Sequence, residues 1–334
     1  MDVFGWLDAT LSPMECTSEE FIYDDMESQS GRALPIIYRP FDAADPSHWQ
    51  DRGSAFDYLF STQGEGKRLL DLGPGDGWPS LIVAPRAGQV EGVDGSRRRV
   101  AVCTENAARL GIANARFTHV TPGAKLPFDD NSFDGAMAAS SIEQTPDPYA
   151  TLQELYRVLR PGGRLRVDYE SLGPYRDGQE QEAWLWPVDE RSCRLMLYDR
   201  HIDREQVRQY RVMVAMSREE LARSLSAEGR DLPFSALTAA ALDKLRPAIV
   251  DARVCTTIHP SGQTLASWLG EIGFGHVLPT HSGARFARRL FDRYPEDRRP
   301  TDMQGVDAVL RSAVEVVVQM PAPWDIDPMI TAVK

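Results

Sequence analysis

The sequence lacks the features that would carry a protein to a membrane or to nucleic acid. No stretch approaches about 20 uninterrupted apolar residues, which excludes a transmembrane helix. The first residues have neither the basic end nor the apolar core of a signal peptide. The chain has 37 basic and 49 acidic side chains, and the net charge of −12 argues against a general polyanion binder. We therefore expect neither a membrane nor a nucleic-acid partner.

Cysteine is scarce and scattered along the chain. The four cysteines, Cys16, Cys103, Cys193 and Cys255, form no C-x-x-C pair. Their spacing indicates neither a zinc ribbon nor a disulfide framework. We therefore expect no metal site and a reducing, cytoplasmic location.

The remaining composition is that of an ordinary folded protein. Of the 334 residues, 42% are apolar and 26% are charged. This length suits one large domain or two modest ones, and it allows a sizeable core without disulfides. The aromatic content of 9% excludes disorder of the whole chain.

Four regions follow one another along the chain, and the first two predict different structures. Residues 1–64 mix helical patterns with proline and glycine breaks, and Thr17 with Glu20 has the spacing of a capping box. Residues 65–172 alternate strands with helices. That alternation is typical of right-handed crossovers and a parallel sheet.

The last two regions differ again. Residues 173–256 contain two runs, Arg194–Arg200 and Val207–Met216, whose alternating apolar and polar residues predict an antiparallel pair of strands. Residues 257–334 return to alternating strands and helices. In this last region, the runs Val314–Met320 and Met329–Val333 are strand-like. In the second region, Trp78–Ala87 predicts a helix that is confined by prolines.

The clearest motif is the glycine-rich stretch LLDLGPGDG at Leu69–Gly77. A predicted strand ends at Asp71, and the chain then turns through Gly73, Gly75 and Gly77 into a helix. Glycine permits a positive φ and lets the backbone approach a ligand closely. The helix N-terminus adds exposed N–H groups. The motif therefore predicts a ligand site at this turn.

Two carboxylates accompany the turn and bear on the choice of ligand. Asp71 is placed to face a cationic amine, and Asp94 ends the next strand, where a carboxylate can accept both hydroxyls of a ribose. A dinucleotide fold is the alternative, but its fingerprint is G-x-G-x-x-G rather than the G-x-G-x-G found here. A carboxylate at Asp71 also suits an ammonium group better than a pyrophosphate.

These residues resemble the class I S-adenosylmethionine-dependent methyltransferases. The residues from Asp71 to Gly77 match that family's first motif, D/E-x-G-x-G-x-G, and Asp94 matches its ribose-binding acid. The stretch Leu126–Val167, with LPF, SFD and ELYRVLRPGG, resembles the small-molecule branch of the family. The strong resemblance covers Lys67–Glu170, about a third of the chain.

The resemblance implies a Rossmann-like α/β fold. It implies a three-layer α/β/α sandwich whose seven-stranded sheet is mostly parallel, with the last strand antiparallel. Residues 65–172 would form the donor-binding core, and residues 257–334 would complete its sheet. Residues 1–64 would form a helical lid. Residues 173–256, an α+β insert, would form a cap with that lid, or a dimerisation subdomain.

The implied cofactor is S-adenosylmethionine. The residues expected to bind it are Asp71, Gly73, Gly75, Gly77, Asp94, Gly95, Gly123, Ala124 and Ser140. Family members often carry an acid just before LPF that meets the adenine amine. Thr118–Lys125 contains no acid, so we expect backbone groups near Gly123 and Ala124 to hold the adenine.

The candidate catalytic residues are His201, His281 and Tyr23. His201 lies between the two predicted insert strands, where the alternative is an exposed turn histidine. His281 follows the sixth predicted strand, whose carboxyl end should face the donor. Tyr23 would hydrogen-bond the donor's carboxylate from the lid, or simply pack. A general base is needed only if the acceptor keeps its proton near neutral pH.

The resemblance implies in-line methyl transfer to a small-molecule acceptor. One alternative is a non-catalytic donor-binding or scaffold protein, and another is an NAD-dependent oxidoreductase, against which the loop spacing and Asp71 argue.

Arsenite methyltransferases bind their substrate through several cysteines, and Cys16, Cys193 and Cys255 lie outside the predicted core. Free cysteine is usually a small buried hydrophobe, so we expect a packing role. A homodimer through the insert is the alternative to a cap.

Overall fold

The chain divides into two units in a computed structural model that describes residues 1–28, 40–170, 180–225, 231–324 and 328–334. Unit 1 consists of Met1–Ile22 and Ser171–Ser261, and unit 2 consists of Tyr23–Glu170 and Gly262–Lys334.

The regular elements of the described residues are numbered in chain order. The helices are α1 (Val3–Trp6), α2 (Ser18–Ser28), α3 (Pro46–Ser61), α4 (Ser80–Val83), α5 (Arg97–Arg109), α6 (Pro148–Val158), α7 (Arg218–Ser224), α8 (Ala239–Leu245), α9 (Gly262–Ile272), α10 (Gly283–Arg293) and α11 (Met303–Val317). The strands are β1 (Met14–Glu15), β2 (Arg68–Leu72), β3 (Gln89–Asp94), β4 (Ala115–His119), β5 (Phe133–Ala139), β6 (Leu159–Asp168), β7 (Gln181–Pro187), β8 (Cys193–His201), β9 (Gln206–Val214), β10 (Asp231–Leu232), β11 (Ile249–Ile258), β12 (Gly275–Thr280) and β13 (Met329–Val333).

Unit 2 is built on a seven-stranded sheet in the order β12-β13-β6-β5-β2-β3-β4. The strands from β2 to β6 pair in parallel, because a helix or a long connection separates each from the next. The last strand, β13, pairs antiparallel with both β6 and β12. The predicted sheet, mostly parallel with an antiparallel final strand, is confirmed.

Helices cover both faces of this sheet and complete the three layers. On one face, α6 and α9 bury Leu152 and Leu265 against Leu70 and Leu165 of the strands. On the other face, α3 shares an apolar cluster with Leu69 of β2, and α10 and α11 pack on α3 in a further cluster. None of the helices that the structure describes combines the length and apolar character that a bilayer crossing requires.

Two elements differ from the sequence-based predictions. The run Val314–Met320 is not a strand, because α11 extends to Val317. Val306, Leu310 and Val314 recur every four residues on α11 and are fully buried. That helical stripe outweighs the strand preference of β-branched residues, which depends on context. The helix expected over Trp78–Ala87 is confined to α4, after Pro79.

Unit 1 is built on a six-stranded sheet in the order β1-β11-β9-β8-β7-β10. The antiparallel pair predicted in the insert is confirmed as β8 and β9, whose register runs from Cys193 opposite Val214 to His201 opposite Gln206. One face of the sheet is covered by α1, α7 and α8, and residues such as Phe4 and Leu242 are buried there.

The division into units differs from the predicted ranges at the N-terminus. Val3, Phe4 and Trp6 of α1 share the apolar cluster of the insert, and β1 pairs with β11. Residues 1–22 therefore belong with the insert rather than with a separate lid of residues 1–64. The capping box of Thr17 and Glu20 is confirmed: the Glu20 N–H donates to Thr17 Oγ1 at 3.1 Å, and the Thr17 N–H donates to Glu20 Oε2 at 2.9 Å.

Candidate functional site

A cavity of about 520 Å³ lies in unit 2 where the parallel strands end. Its wall includes Leu72, Asp94, Ala139 and Asp168, which stand at the carboxyl ends of β2, β3, β5 and β6. Open α/β sheets bind their ligands at this edge. The volume lies within the range of small-molecule and cofactor sites, roughly 300–1,000 Å³.

The glycine turn forms one wall of the cavity with bare backbone. Gly73 and Gly75 have φ angles of 70° and 56°, the left-handed region that favours glycine. A Cβ at Gly73 would lie 2.6 Å from Ser141 Cβ, whereas a Cβ at Gly75 would meet nothing within 4 Å. Gly77 also has a positive φ of 113°, and its N–H donates to Pro74 O at 2.7 Å. It shapes the turn into α4 rather than the wall itself.

The carboxylate of Asp71 lies behind the glycine turn. The side chain is fully buried, and Asp71 is not among the residues that line the cavity. Its Oδ2 accepts from the Ser80 N–H at 3.0 Å and from Ser80 Oγ at 2.6 Å. Burial raises the pKa of Asp71 to about 7, although the hydrogen bonds from Ser80 oppose that rise. Its contact with a donor amine stays a prediction.

Asp94 reaches the cavity from the end of β3. Its Oδ1 accepts from the Ser96 N–H at 2.8 Å, and its Oδ2 accepts from the Gly75 N–H at 3.3 Å. Burial raises its pKa, while these backbone hydrogen bonds lower it. The next residue, Gly95, also lines the cavity, and a Cβ there would collide with the ring of Tyr23.

The loop after β4 forms the opposite wall. Its lining residues run from Val120 to Ala124, and Gly123 has a φ of 74°. The Ala124 N–H already donates to Thr121 O at 3.0 Å, so this donor is used within the turn. Both Gly123 and Ala124, the two positions expected to hold an adenine, line the cavity.

A carboxylate that the sequence analysis did not single out lies beside this loop. Glu154 of α6 lines the cavity, and its Oε2 accepts from the Leu126 N–H at 2.8 Å. Arg157 holds it through Nη2–Oε2 and Nε–Oε1 hydrogen bonds of 2.7 and 2.9 Å, and these bonds lower the pKa of Glu154. The signal was present in the ELYRVLRPGG stretch, but its spacing did not reveal the contact with the LPF segment.

The remaining wall comes from the turn after β5 and from α2. Ser140, with a φ of 48°, and Gln144 line the cavity together with Asp168, which sequence reasoning also missed. Tyr23 lines it too, and its hydroxyl donates to Gln144 O at 3.4 Å. Trp78 borders the cavity after the glycine turn.

Glu143 is a second acid that the sequence analysis missed. It is 8% exposed, and no hydrogen bond of good geometry reaches either carboxylate oxygen from the described residues. Burial raises its pKa to about 8, and the negative charges of Glu170 and Asp168 add to that rise. The nearby backbone N–H groups of Glu143 and Glu170 offset it in part.

The two candidate histidines lie elsewhere. His281 lines a second cavity of unit 2, of about 560 Å³, together with Arg285, Arg289 and Trp324. His201 belongs to unit 1, where its Nε2 is 3.7 Å from Asp199 Oδ2. Tyr23 is thus the candidate that the structure brings to the cavity beside the glycine turn. In the part of the chain that is described, no three or more His, Cys, Asp or Glu side chains are grouped to hold a metal ion.

The three cysteines outside the predicted core, Cys16, Cys193 and Cys255, do not meet at one point, because Cys193 lies on the other face of the unit 1 sheet from Cys255. Cys193 packs with Val254 in the apolar cluster on one face of the unit 1 sheet. Cys255 follows Val254, and successive side chains of a strand point to opposite faces. Cys103, in unit 2, donates to Gly75 O at 3.0 Å beneath the glycine turn.

Comparison with known proteins agrees with this geometry. Residues 70–167 match the family described as methyltransferase domain. This part of the chain is therefore similar to a methyltransferase domain. The match ends at β6, so it covers the glycine turn, Asp94 and the turn after β5, but not the insert.

Curated relatives share this part of the chain. The 27-O-demethylrifamycin SV methyltransferase of Amycolatopsis mediterranei is 33% identical over 119 residues, 35% of this chain and 44% of the relative. The demethylmenaquinone methyltransferase of Clavibacter sepedonicus is 36% identical over 109 residues, 33% of this chain and 43% of the relative. The chain thus spans less than half the length of these relatives.

Among solved structures, an S-adenosylmethionine-dependent methyltransferase from Clostridium acetobutylicum is 10% identical. The alignment covers 86% of this chain and 91% of the Clostridium chain, with a TM-score of 0.49. A likeness at this level adds no weight to the assignment.

Proposed function

We propose that the protein is an S-adenosylmethionine-dependent methyltransferase that acts on a small-molecule acceptor. The observation that carries this proposal is the cavity in which the glycine turn and Asp94 stand side by side at the carboxyl ends of β2 and β3. Bare backbone next to a ribose-accepting carboxylate suits an adenosine donor. A nicotinamide dinucleotide fits less well, because the buried Asp71 carboxylate lies directly behind the turn.

The residues of the cavity fit the donor in distinct roles. S-Adenosylmethionine, when bound, supplies an electrophilic methyl group on a sulfonium. Asp94 would accept the ribose hydroxyls through charge-assisted hydrogen bonds, which are stronger than neutral ones. Gly73 and Gly75 would let the backbone approach the donor closely.

The adenine end lacks the acid before LPF that family members often carry. Glu154 brings a carboxylate to that loop from α6, held by Arg157. We assign the adenine to the space between Gly123 and Glu154. The carboxylate would accept from the exocyclic amine, and the pKa lowered by Arg157 keeps it ionised for that purpose.

The acceptor end would be shaped by Ser140, Gln144 and Asp168, with Tyr23 beside the donor's carboxylate. In-line transfer depends mainly on holding donor and acceptor in position. A general base is required only for an acceptor that keeps its proton. The roles of His201 and His281 as bases remain predictions.

The small-molecule class of the acceptor is supported by the relatives. The two described above are named for a rifamycin and a menaquinone precursor, and a third for arsenite. These names differ too much to select one acceptor. We further propose that unit 1, which joins residues 1–22 of the expected lid to the insert of residues 173–256, acts as a cap, with a homodimer through the insert as the alternative. A cytoplasmic location remains an inference from the scattered cysteines.

Calorimetry on the full chain tests this function. We expect S-adenosylhomocysteine to bind and NAD not to bind. Asp94→Asn should weaken donor binding by about 1.5–3 kcal/mol, the cost of one lost charge-assisted hydrogen bond. Asp134→Asn is the matched control, because Asp134 is the second residue of β5 and lies at the opposite edge of the sheet. Tight NAD binding without any response to S-adenosylhomocysteine would overturn the assignment.

A further inference from the structure

Two cysteines lie next to each other at the edge of the unit 1 sheet. The parallel pairing of β1 with β11 places Glu15 opposite Val254, and the Cys16 N–H donates to Val254 O at 2.8 Å. Cys16 and Cys255 are the next residues in that register. Their thiols are close enough that the charge of one affects the pKa of the other.

This arrangement satisfies the spacing that a disulfide requires. Neighbouring strands lie about 4.8 Å apart, and disulfide-linked Cα atoms lie about 4.4–6.8 Å apart. Residues in register on parallel strands project to the same face. A bridge between adjacent strands is constrained by the ladder, and strained or exposed disulfides are the ones that are readily reduced.

The two thiols differ in access. Cys16 is partly exposed, whereas Cys255 is 1% exposed. Burial raises the pKa of the Cys16 thiol, and the guanidinium groups of Arg253 and Arg211 oppose that rise. The carboxylates of Glu20 and Asp251 act in the same direction as burial. Cys16 is therefore the thiol that an oxidant in solution reaches first.

We propose that Cys16 and Cys255 form a reversible disulfide that ties the N-terminal segment to the edge of the unit 1 sheet. With a peroxide as oxidant, the Cys16 sulfur attacks one peroxide oxygen and becomes a sulfenic acid, releasing water. The Cys255 sulfur then attacks the Cys16 sulfur, the S–S bond forms, and the second water leaves. Two thiols lose two electrons and two protons, and hydrogen peroxide is reduced to two waters.

The bridge would strengthen a weak point of the fold. β1 has two residues, so few ladder hydrogen bonds hold it to β11. The capping box of Thr17 and Glu20 follows directly and starts α2, whose Phe21 lies under the Arg211 guanidinium at 4.2 Å from the ring centre. A covalent link at Cys16 would fix the start of that helix, and it closes a long loop, which favours a stabilising effect.

The test treats the full chain with hydrogen peroxide, counts thiols and maps cross-linked peptides by mass spectrometry. We expect two of the four thiols to disappear, with the Cys16 peptide joined to the Cys255 peptide and both thiols recovered with dithiothreitol. Cys16→Ser should abolish the cross-link. Cys193→Ser is the matched control and should behave like wild type, because Cys193 lies on the other face of the sheet.

Thermal unfolding supplies the second measurement. Oxidation should raise the Tm of the wild type and of Cys193→Ser, and leave the Tm of Cys16→Ser unchanged. A cross-link that involves Cys193 or Cys103, or oxidation of Cys16 to a sulfinic acid without any cross-link, would overturn the proposal. If the cross-link forms but oxidation raises the Tm of the wild type no more than that of Cys16→Ser, the disulfide does not anchor the N-terminal segment.

Discussion

Ser80 donates two hydrogen bonds to one oxygen of Asp71, from its N–H at 3.0 Å and from its hydroxyl at 2.6 Å. The other oxygen, Oδ1, has no hydrogen-bond partner among the described residues. The pair links the end of β2 to the start of α4, so it braces the turn between them. A buried carboxylate with one unpartnered oxygen is poised to gain a proton or a cationic partner.

Donor binding should release a fraction of a proton from Asp71 near pH 6. Burial raises the pKa of Asp71 to about 7, so the empty protein holds this proton at pH 6. A donor ammonium nearby favours the carboxylate and lowers that pKa. Calorimetry of S-adenosylhomocysteine in buffers of different ionisation enthalpy measures the release.

The matched variant for this prediction is Asp71→Asn, which preserves the shape of the side chain. It should release less proton than wild type at pH 6, and the difference should vanish at pH 8.5. Equal proton release by both proteins at pH 6 would mean that Asp71 only braces the turn. Asp94 also has a raised pKa, and its contribution is common to both proteins.

Breaking a buried ion pair in unit 2 should strongly destabilise that unit. Arg166 of β6 binds Asp57 of α3 through two hydrogen bonds of 2.8 and 2.9 Å, and neither side chain is more than 2% exposed. Arg166→Met leaves the Asp57 charge buried and unpaired, which should cost about 3–5 kcal/mol. Urea unfolding measures the change in the free energy of unfolding.

The control for this pair is Arg160→Met. Arg160 pairs with Asp134 at the surface, where its side chain is 48% exposed. Exposed ion pairs contribute about 0–1 kcal/mol. If the two substitutions cost the same, Arg166→Met does not leave an uncompensated charge buried at Asp57.

The sequence predicts those parts of the site whose residues lie in one contiguous stretch of the chain. The glycine turn and Asp94 each follow directly from a strand end, so the parallel sheet alone brings them together. The sequence does not predict the role of Glu154, because its contact with Leu126 joins α6 to a loop that precedes β5, so the whole of that strand lies between them in the chain. The raised pKa of Glu143 likewise depends in part on the charges of Asp168, at the end of β6, and of Glu170, just beyond that strand.

The placement of His281 shows a second limit. It follows β12, whose carboxyl end does lie at the ligand-binding edge of the sheet, as the sequence suggests. The strand order separates β12 from β2 by β13, β6 and β5, so His281 meets a second cavity. Strand order is set by packing across the whole chain, and a short apolar run does not encode it. The same holds for Val314–Met320, where burial against neighbouring helices overrides local preference.

Glu143→Gln should stabilise the protein in alkaline solution. The pKa of Glu143 is raised to about 8, against about 4.3 for an unfolded glutamate. The stability of the wild type should therefore fall as the pH rises from about 4.3 to 8, by roughly 1.4 kcal/mol for each unit of pKa difference at most. The glutamine has no charge to bury, so its advantage should grow over that interval.

Urea unfolding at pH 5 and pH 8.5 checks this prediction. The gain from Glu143→Gln should be several times larger at pH 8.5. The exposed Glu271 on α9 provides the control, since Glu271→Gln should have the same effect at both pH values. A gain that does not depend on pH would show that Glu143 is not a buried titrating group.

Removing unit 1 should separate donor binding from methyl transfer. Every residue that lines the cavity beside the glycine turn belongs to unit 2. A chain without Met1–Cys16, which keeps α2 and its cap whole, and in which a flexible linker replaces Ser171–Ser261, should therefore bind S-adenosylhomocysteine with an affinity near that of the full chain. Both segments must be removed, because deletion of the insert alone would expose Val3 and Phe4, which are buried in its apolar cluster. If unit 1 acts as the cap that excludes water and completes the acceptor pocket, the shortened chain should lose methyl transfer. The assay follows the labelled methyl group from the donor to a compound that the full chain methylates. Full transfer by the shortened chain as a monomer would refute the cap and favour a dimerisation role.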